Sequence, residues 1–184
     1  PTQLVGIGPA GQGGDKSEQF FVYGDAEPDF QMSFNNAVRV GDFEFNALVH
    51  WKSGGENVNL STLLSDIFGT SPDYDDKGLD PTGALDNGSY RLSQLGTSAR
   101  SWVEDASYVR LREVGLMYHV PSKLFKNKAK VRLGFSARNL LNFFSYNSYD
   151  PEVSNFGTDA ISSNVEVTPF PSAKSYFFTL GATF

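Results

Sequence analysis

The stretch SYFFTLGATF, Ser175 to Phe184, alternates too regularly for a solvated chain end. Tyr176, Phe178, Leu180, Ala182 and Phe184 fall on one face of a strand, and Ser175, Phe177, Thr179, Gly181 and Thr183 on the other. The first face is wholly apolar. The second is small or hydroxylic except at Phe177. Chain ends are normally polar and frayed, so this one is built to pair and to be buried. The same period of two recurs upstream, with apolar faces Phe30–Met32–Phe34–Val38–Val40, Phe43–Phe45–Ala47–Val49–Trp51 and Val131–Leu133–Phe135–Ala137. At SYVRLREVGLMYHV the phase slips near Glu113: Val109 and Leu111 share one face, Val114, Leu116, Tyr118 and Val120 the other, which predicts either a bulge or a strand extending beyond the apolar zone.

These segments predict five strands near 29–40, 42–53, 107–120, 129–139 and 174–184. Gly41–Asp42 closes the first pair tightly, and PSKLFKNKA (121–129) closes the second. Residues 1–28 read as Gly-rich and irregular. The connections 54–106 and 140–173 are long and polar. Within the first, NLSTLLSDIFG puts Leu60, Leu63, Leu64, Ile67 and Phe68 at helical spacing between Asn59 and Gly69, which predicts a short amphipathic helix packed in a loop.

No run of about 18 apolar residues exists, so no helix is long enough to span a bilayer. Strands of about ten residues, tilted at about 45°, rise near 25 Å, the height of the apolar band of an outer-membrane barrel. Short turns at one end and long loops at the other is the asymmetry of such barrels. The soluble alternative is a β-sandwich, whose loops are mostly short. Arg39, Glu44, Arg132 and Arg138 on the opposite faces suit a watery lumen. The pattern therefore predicts an all-β, antiparallel transmembrane β-barrel, of which this chain supplies about five strands.

Composition excludes several classes. The chain has 184 residues, no Cys and a net charge of −6. That rules out disulfides and thiolate sites and speaks against nucleic acid as a partner. His50 and His119 lie in different strands with no third ligand at matching spacing, so no metal site is predicted. GIGPAG (Gly6 to Gly11) fits G-x-G-x-x-G but lacks a preceding strand and carries Pro9 in the turn. DYDDKG from Asp73 starts like an EF-hand loop but has Ala84 where the last carboxylate belongs. No catalytic constellation and no cofactor motif stand out, and the chain is read as no enzyme. Loop 54–106 carries nine acids against three bases. These are either solvated or a cation site. Among loop aromatics, Tyr90, Trp102, Phe143, Phe144, Tyr146 and Tyr149 could stack on sugar rings or clamp peptide side chains; Trp102, Tyr108, Phe143 and Phe144 equally fit an interfacial aromatic girdle, the reading preferred for those four.

Three collinear stretches resemble one family. VYGDAEPDFQMSFNNAVRVGDFEFNALVHWKSGGENVNL resembles the part of SusC/RagA-type TonB-dependent receptors that runs G-x-x-x-P-D-F, strand, short turn, N-F-x-F, glycine-bearing loop. WVEDASYVRLREVGLMYHVP resembles their W-x-x-D-A-S-F/Y-x-R-L-x-x-x-x-L-x-Y-x-x-P segment. VRLGFSARNLLNFFSYNSYDPEVSNFG resembles their strand ending in N-L, then aromatics and Y-D-P-E. Together they cover about residues 22–184.

The resemblance implies the C-terminal part of a plugged outer-membrane barrel of about 22 strands, found mostly in Bacteroidota. It implies import of oligosaccharides or peptides, driven by TonB through N-terminal parts outside this chain, beneath a SusD-like surface lipoprotein. Tyr146, Tyr149 and Asp150 fall on the family's Y-x-x-Y-D-P-E loop, which is structural or lines the mouth. Phe184, with Leu180, Phe178 and Tyr176, resembles the signal read by the barrel-assembly machinery. The C-terminus and both short turns are then periplasmic. Residues 1–28, as a loop remnant, and loops 54–106 and 140–173 are then extracellular. A siderophore or cobalamin receptor, or a secreted β-rich carbohydrate-binding or adhesion module, remain the alternatives.

Overall fold

A computed structural model describes residues 3–7, 20–153 and 164–184. In chain order the strands and helices are β1 (Gln3–Ile7), β2 (Phe20–Asp25), β3 (Pro28–Val40), β4 (Phe43–Gly54), β5 (Glu56–Asn59), α1 (Leu60–Ile67), α2 (Asn87–Ser93), β6 (Val103–Asp105), β7 (Tyr108–Val120), β8 (Lys130–Phe143), β9 (Val165–Glu166) and β10 (Ser175–Thr183). They divide into two compact units. One is made of 30–52, 108–144 and 172–184, the other of the first 29 residues, 53–107 and 145–171.

The first unit is a five-stranded sheet in the order β10-β8-β7-β4-β3. Its strands are the five that the alternation predicts, with β8 running four residues further than expected, to Phe143. The two-residue turn at Gly41–Asp42 needs a left-handed residue, and Gly41 supplies it with φ +58°. The β7–β8 turn is longer and holds Lys126 and Asn127 at positive φ. Both turns lie at one end of the sheet, and the long connections β4–β7 and β8–β10 leave from the other.

Register carries the apolar residues of four strands onto one face. Phe45 pairs with Leu116, Leu116 with Phe135, and Phe135 with Phe178. Phe43, Tyr118, Leu133 and Leu180 form the next row, and Ala47, Val114, Ala137 and Tyr176 the row on the other side. The phase slip in β7 is resolved as a bulge. Leu48 pairs with Glu113 and Val49 with Leu111, so Arg112 is the unpaired extra residue. Against β8 the ladder steps from Leu111–Leu141 to Glu113–Arg138, leaving Asn139, whose φ is +54°, and Leu140 opposite Arg112. One inserted residue shifts the phase of a strand by one. Leu111, Val109, Leu141 and Phe143 therefore stay on the same face as Leu116 and Phe135.

Among the described residues nothing covers that face. Phe178 is 84% exposed and Leu180 74% exposed. Phe34, Phe43, Phe45, Leu116, Leu133 and Phe143 are exposed as well. A monomeric soluble protein rarely leaves so large a contiguous apolar patch in water. The opposite face is polar and small. Asn46 donates to Glu113 Oε1 at 3.3 Å, Arg138 Nε donates to Glu113 Oε2 at 3.1 Å, and His119 lies 3.4 Å from Glu44. Gly115 lies beside Asn46: a Cβ there would come within 2.0 Å of Asn46 Oδ1. Apolar residues on one face and paired charges on the other match a barrel wall, lipid outside and water within.

The second unit departs from the sequence reading. Residues 1–28 are not irregular throughout: β1 and β2 form an antiparallel ladder from Gln3–Asp25 to Ile7–Phe20. Of GIGPAG, only Gly6 and Ile7 lie within described residues, and they belong to β1. The polar connections fold too. β5 pairs antiparallel with β6 and parallel with β9, and α2 adds a helix with no apolar periodicity to announce it.

Helix α1 forms where expected, with Asn59 Oδ1 accepting from Thr62 N at 2.9 Å and Gly69 at φ +63° after its end. Its packing is inverted. Ser61, Thr62 and Asp66 are the buried residues, while Leu64, Ile67 and Phe68 are exposed. The amphipathic rule assumes an apolar core, and here the core is a polar network.

The register makes a direct prediction. Leu116→Arg places a charge on the apolar face and Thr179→Lys on the polar one. In lipid vesicles, Leu116→Arg should lower folding stability by about 2–4 kcal/mol, whereas Thr179→Lys should change it by less than about 0.5 kcal/mol. Urea titration of the reconstituted receptor reads both. Equal, small effects would mean that the face meets water.

Candidate functional site

The loop unit is organised around Arg91 of α2, only 2% exposed. Its guanidinium grips Asp66 of α1 bidentately, Nε to Oδ2 and Nη2 to Oδ1 at 2.7 Å each. It also grips Asp73 at 2.8 and 2.9 Å and donates to Ser71 Oγ at 3.2 Å. Planar, five-donor arginine suits two carboxylates at once, which lysine could not hold. Hydrogen bonding to Arg91 holds the Asp73 carboxyl below its usual range, against the cost of burial.

From Asp73 the network reaches the 145–150 segment. Asn147 Nδ2 donates to Asp73 Oδ1 at 3.4 Å, and Asn147 N donates to Glu104 Oε2 at 2.7 Å. Glu104 Oε1 accepts from Asn59 Nδ2 at 3.0 Å. Burial raises the Glu104 carboxyl, opposed by those two hydrogen bonds. A second buried carboxylate, Glu166, accepts from Ser61 Oγ at 2.7 Å and from Ser148 Oγ. Ser61 Oγ also accepts from Thr168 N at 2.7 Å. Two helices, β9 and the tyrosine-bearing segment are thereby tied together without an apolar core.

This scaffold surrounds a cavity of about 370 Å³. Tyr146 and Tyr149 both line it, with Asn147 and Ser148 between them. Across from them stand Ser61, Thr62 and Ser65 of α1, with Thr70, Pro72 and Thr168 completing the wall. Among the described residues of the lining none is charged. Tyr146 is 5% exposed, and its hydroxyl lies beside Glu166 and Asn57 without a well-aligned hydrogen bond. Burial, then the Glu166 charge, pushes that phenol far up, so it stays protonated. Tyr149, 57% exposed, stands at the mouth.

The other expected contact residues lie elsewhere. Asp150 is 1% exposed and does not line the cavity; its Oδ1 accepts from Glu152 N at 3.0 Å, while Pro151 O accepts from Asn57 Nδ2 at 2.8 Å. Tyr90 is half-buried on α2 and is also outside the lining. Tyr176, Phe178 and Leu180 share the apolar face of β10, and Phe184 follows it, 99% exposed. The girdle reading fails for two of its four residues. Trp102 and Tyr108 are each 4% exposed, and Tyr108 instead lies near His50, under the Arg110 guanidinium. Phe143 fits the reading, exposed at 62% in the row with Val109.

Most of the loop acids are engaged. Beyond those around Arg91, Asp80 accepts from Thr82 N, Thr82 Oγ1 and Leu85 N, which hold its pKa at about 2. Glu56 accepts from Arg100 at 3.1 Å. Among the described residues no group of three or more His, Asp and Glu side chains is arranged to hold a metal ion.

Similarity to known proteins completes the picture. The chain is 30% identical over 168 residues to TonB-dependent receptor P3 of Formosa agariphila. That match takes in 87% of this chain and 16% of the relative's length. Among solved structures it superposes on the RagAB peptide transporter with a TM-score of 0.60 at 18% identity, covering 91% of this chain and 18% of that one. The RagAB peptide importer in its open-open state gives a TM-score of 0.57 at 18% identity, over 98% of this chain and 20% of that one. No family model matches. The chain belongs to the TonB-dependent receptors. For such a receptor the exposed apolar sheet face is expected rather than anomalous, since the fold is an outer-membrane barrel of which this chain spans a part.

Two outcomes follow from the loop network. Arg91→Met strands two carboxylates and should destabilise the loop unit by about 3–5 kcal/mol, with Arg91→Lys rescuing little; amide exchange across α1 and α2 measures it. The second concerns pH. Asp73 and Asp80 have folded pKa values below their unfolded ones, so their contribution is full above about pH 4 and falls away toward about pH 2. Protection of the Leu85 amide, corrected for intrinsic exchange, should drop across that window, and Asp80→Asn should flatten its lower part.

Proposed function

We propose that this chain forms wall strands and surface loops of an outer-membrane importer that takes up oligosaccharides or peptides through a TonB-driven cycle. Family membership supports the reading, and the observation that carries it is the uncovered apolar face from β4 to β10 backed by a paired polar face. The chain spans only 16% of the curated relative it matches, so the plug and the TonB-contacting segment would come from other parts of the receptor. The likeness in fold to the RagAB importer supports a SusD-like lipoprotein at the mouth. In this arrangement the five strands are the C-terminal part of the barrel, with 54–106 and 140–173 extracellular and Phe184 periplasmic. The apolar side chains of β10 serve both as lipid contacts and as the signal for barrel assembly.

No catalytic role is assigned. The proteins this chain is similar to are a receptor and importers.

Uptake in the native host tests the proposal. Labelled oligosaccharide or peptide should enter cells carrying the receptor, and entry should stop when either the receptor or TonB is removed. The tagged receptor, extracted in mild detergent, should bring a SusD-like lipoprotein with it. Uptake that persists without TonB, or a chain secreted in soluble form, would overturn the proposal.

A further inference from the structure

We infer that the cavity between α1 and Tyr146–Tyr149 is a subsite for a neutral, hydroxyl-rich ring such as a pyranose, in preference to a charged peptide group. The inference rests on the import reading above and narrows its substrate class at this site.

Size comes first. About 370 Å³ lies at the lower end of ligand pockets, roughly 300–1,000 Å³. That is room for a ring or two, and little for an extended chain. Chemistry comes second. A charged terminus or side chain would need an opposite charge or several dipoles to replace its water. Among the described residues the lining offers no charge, but hydroxyls, one amide, Pro72 and two tyrosines.

The hydroxyls are also committed in a particular sense. Ser61 and Ser148 spend their protons on Glu166, and Thr62 Oγ1 points its proton at Asn147 O, 3.4 Å away. Thr70 Oγ1 donates to Ser65 O at 3.3 Å. A hydroxyl has one proton and two lone pairs. With the protons spent inward, Ser148, Thr62 and Thr70 are left as acceptors, and Ser61 keeps one lone pair. A ligand rich in O–H donors complements such a wall. The tyrosine rings supply the remaining element, since a sugar ring has an apolar C–H face that packs on an aromatic surface.

The wall is preorganised. The Tyr146–Tyr149 segment is held from behind by Glu104, Asp73 and Glu166, so binding need not order it. The glutamate that orients the serines belongs to β9 and lies outside the lining. It therefore acts as a positioning residue.

The complete receptor in detergent tests this by saturation-transfer NMR, with glucose, galactose, glucuronate and a charged tripeptide offered separately at millimolar concentration. A neutral sugar should give transfer, and glucuronate and the tripeptide should give at least about tenfold less. Thr70→Trp, which fills the cavity from its exposed rim, should abolish the sugar signal. Tyr149→Ala should weaken it, and Tyr149→Phe should restore it. Glu166→Gln keeps one acceptor and should weaken binding while the receptor stays folded by circular dichroism. Absence of transfer from both sugars, or a signal unchanged in Thr70→Trp, or equal transfer from the tripeptide, would overturn the inference. TonB-dependent uptake by the same Thr70→Trp receptor would leave the import proposal standing, which separates the two failures.

Discussion

A nine-residue strand that leaves Phe178 and Leu180 mostly exposed has to be surrounded by something other than water. The cross-strand register makes this a property of the whole sheet. Tyr176, Phe178 and Leu180 of β10 stand opposite Ala137, Phe135 and Leu133 on β8, and those opposite Val114, Leu116 and Tyr118 on β7 and then Ala47, Phe45 and Phe43 on β4. Register is the controlling variable because a slip of one residue would turn every such side chain to the other face. The bulge at Arg112 protects it. Without that extra residue, Val109 and Leu111 would point into the polar side, and the apolar band would stop at Val114. The bulged Arg112 is itself held, donating to His50 Nδ1 from Nε at 3.1 Å and from Nη2 at 2.6 Å.

The loop unit solves the opposite problem. Its segments are too polar to build an apolar core, and they close around buried ion pairs and carboxylates. Such a core contributes specificity more than stability, because desolvation offsets much of the attraction. The useful consequence is geometric. Asn147 and Ser148 are tied to Glu104, Asp73 and Glu166, so the polar wall of the cavity is fixed by buried carboxylates. The exposed Leu64 and Ile67 of α1, with Phe68 just after it, are the cost of that arrangement, since the helix turns Asp66 inward to meet Arg91.

The strands were legible because a half-buried strand writes its environment at every second residue. SYFFTLGATF and KVRLGFSARN show this plainly, and even the fault at Glu113 marked the bulge within a residue. The loop fold was not legible. Arg91, Asp66 and Asp73 are scattered charges with no periodicity, and only their meeting in space gives them meaning. The same holds for Trp102 and Tyr108, whose burial depends on packing that the pattern does not record. Tyr146 and Tyr149 could be singled out through the Y-x-x-Y-D-P-E loop, but Ser61, Ser148 and Thr168 carried no signal. The polar face of α1 could have hinted at them, since Asn59, Ser61, Thr62 and Asp66 cluster within two turns.

The central claim is that one face of the β4-to-β10 sheet meets lipid and the other meets water. The chain contains no Cys, so nitroxide labels can be placed singly along β8, from Val131 to Ala137, in the complete receptor with any cysteines elsewhere removed. In vesicles, collision with oxygen should peak at 131, 133, 135 and 137, and collision with a water-soluble nickel chelate at 132, 134 and 136. Uniform accessibility to the nickel chelate along the strand would contradict the account.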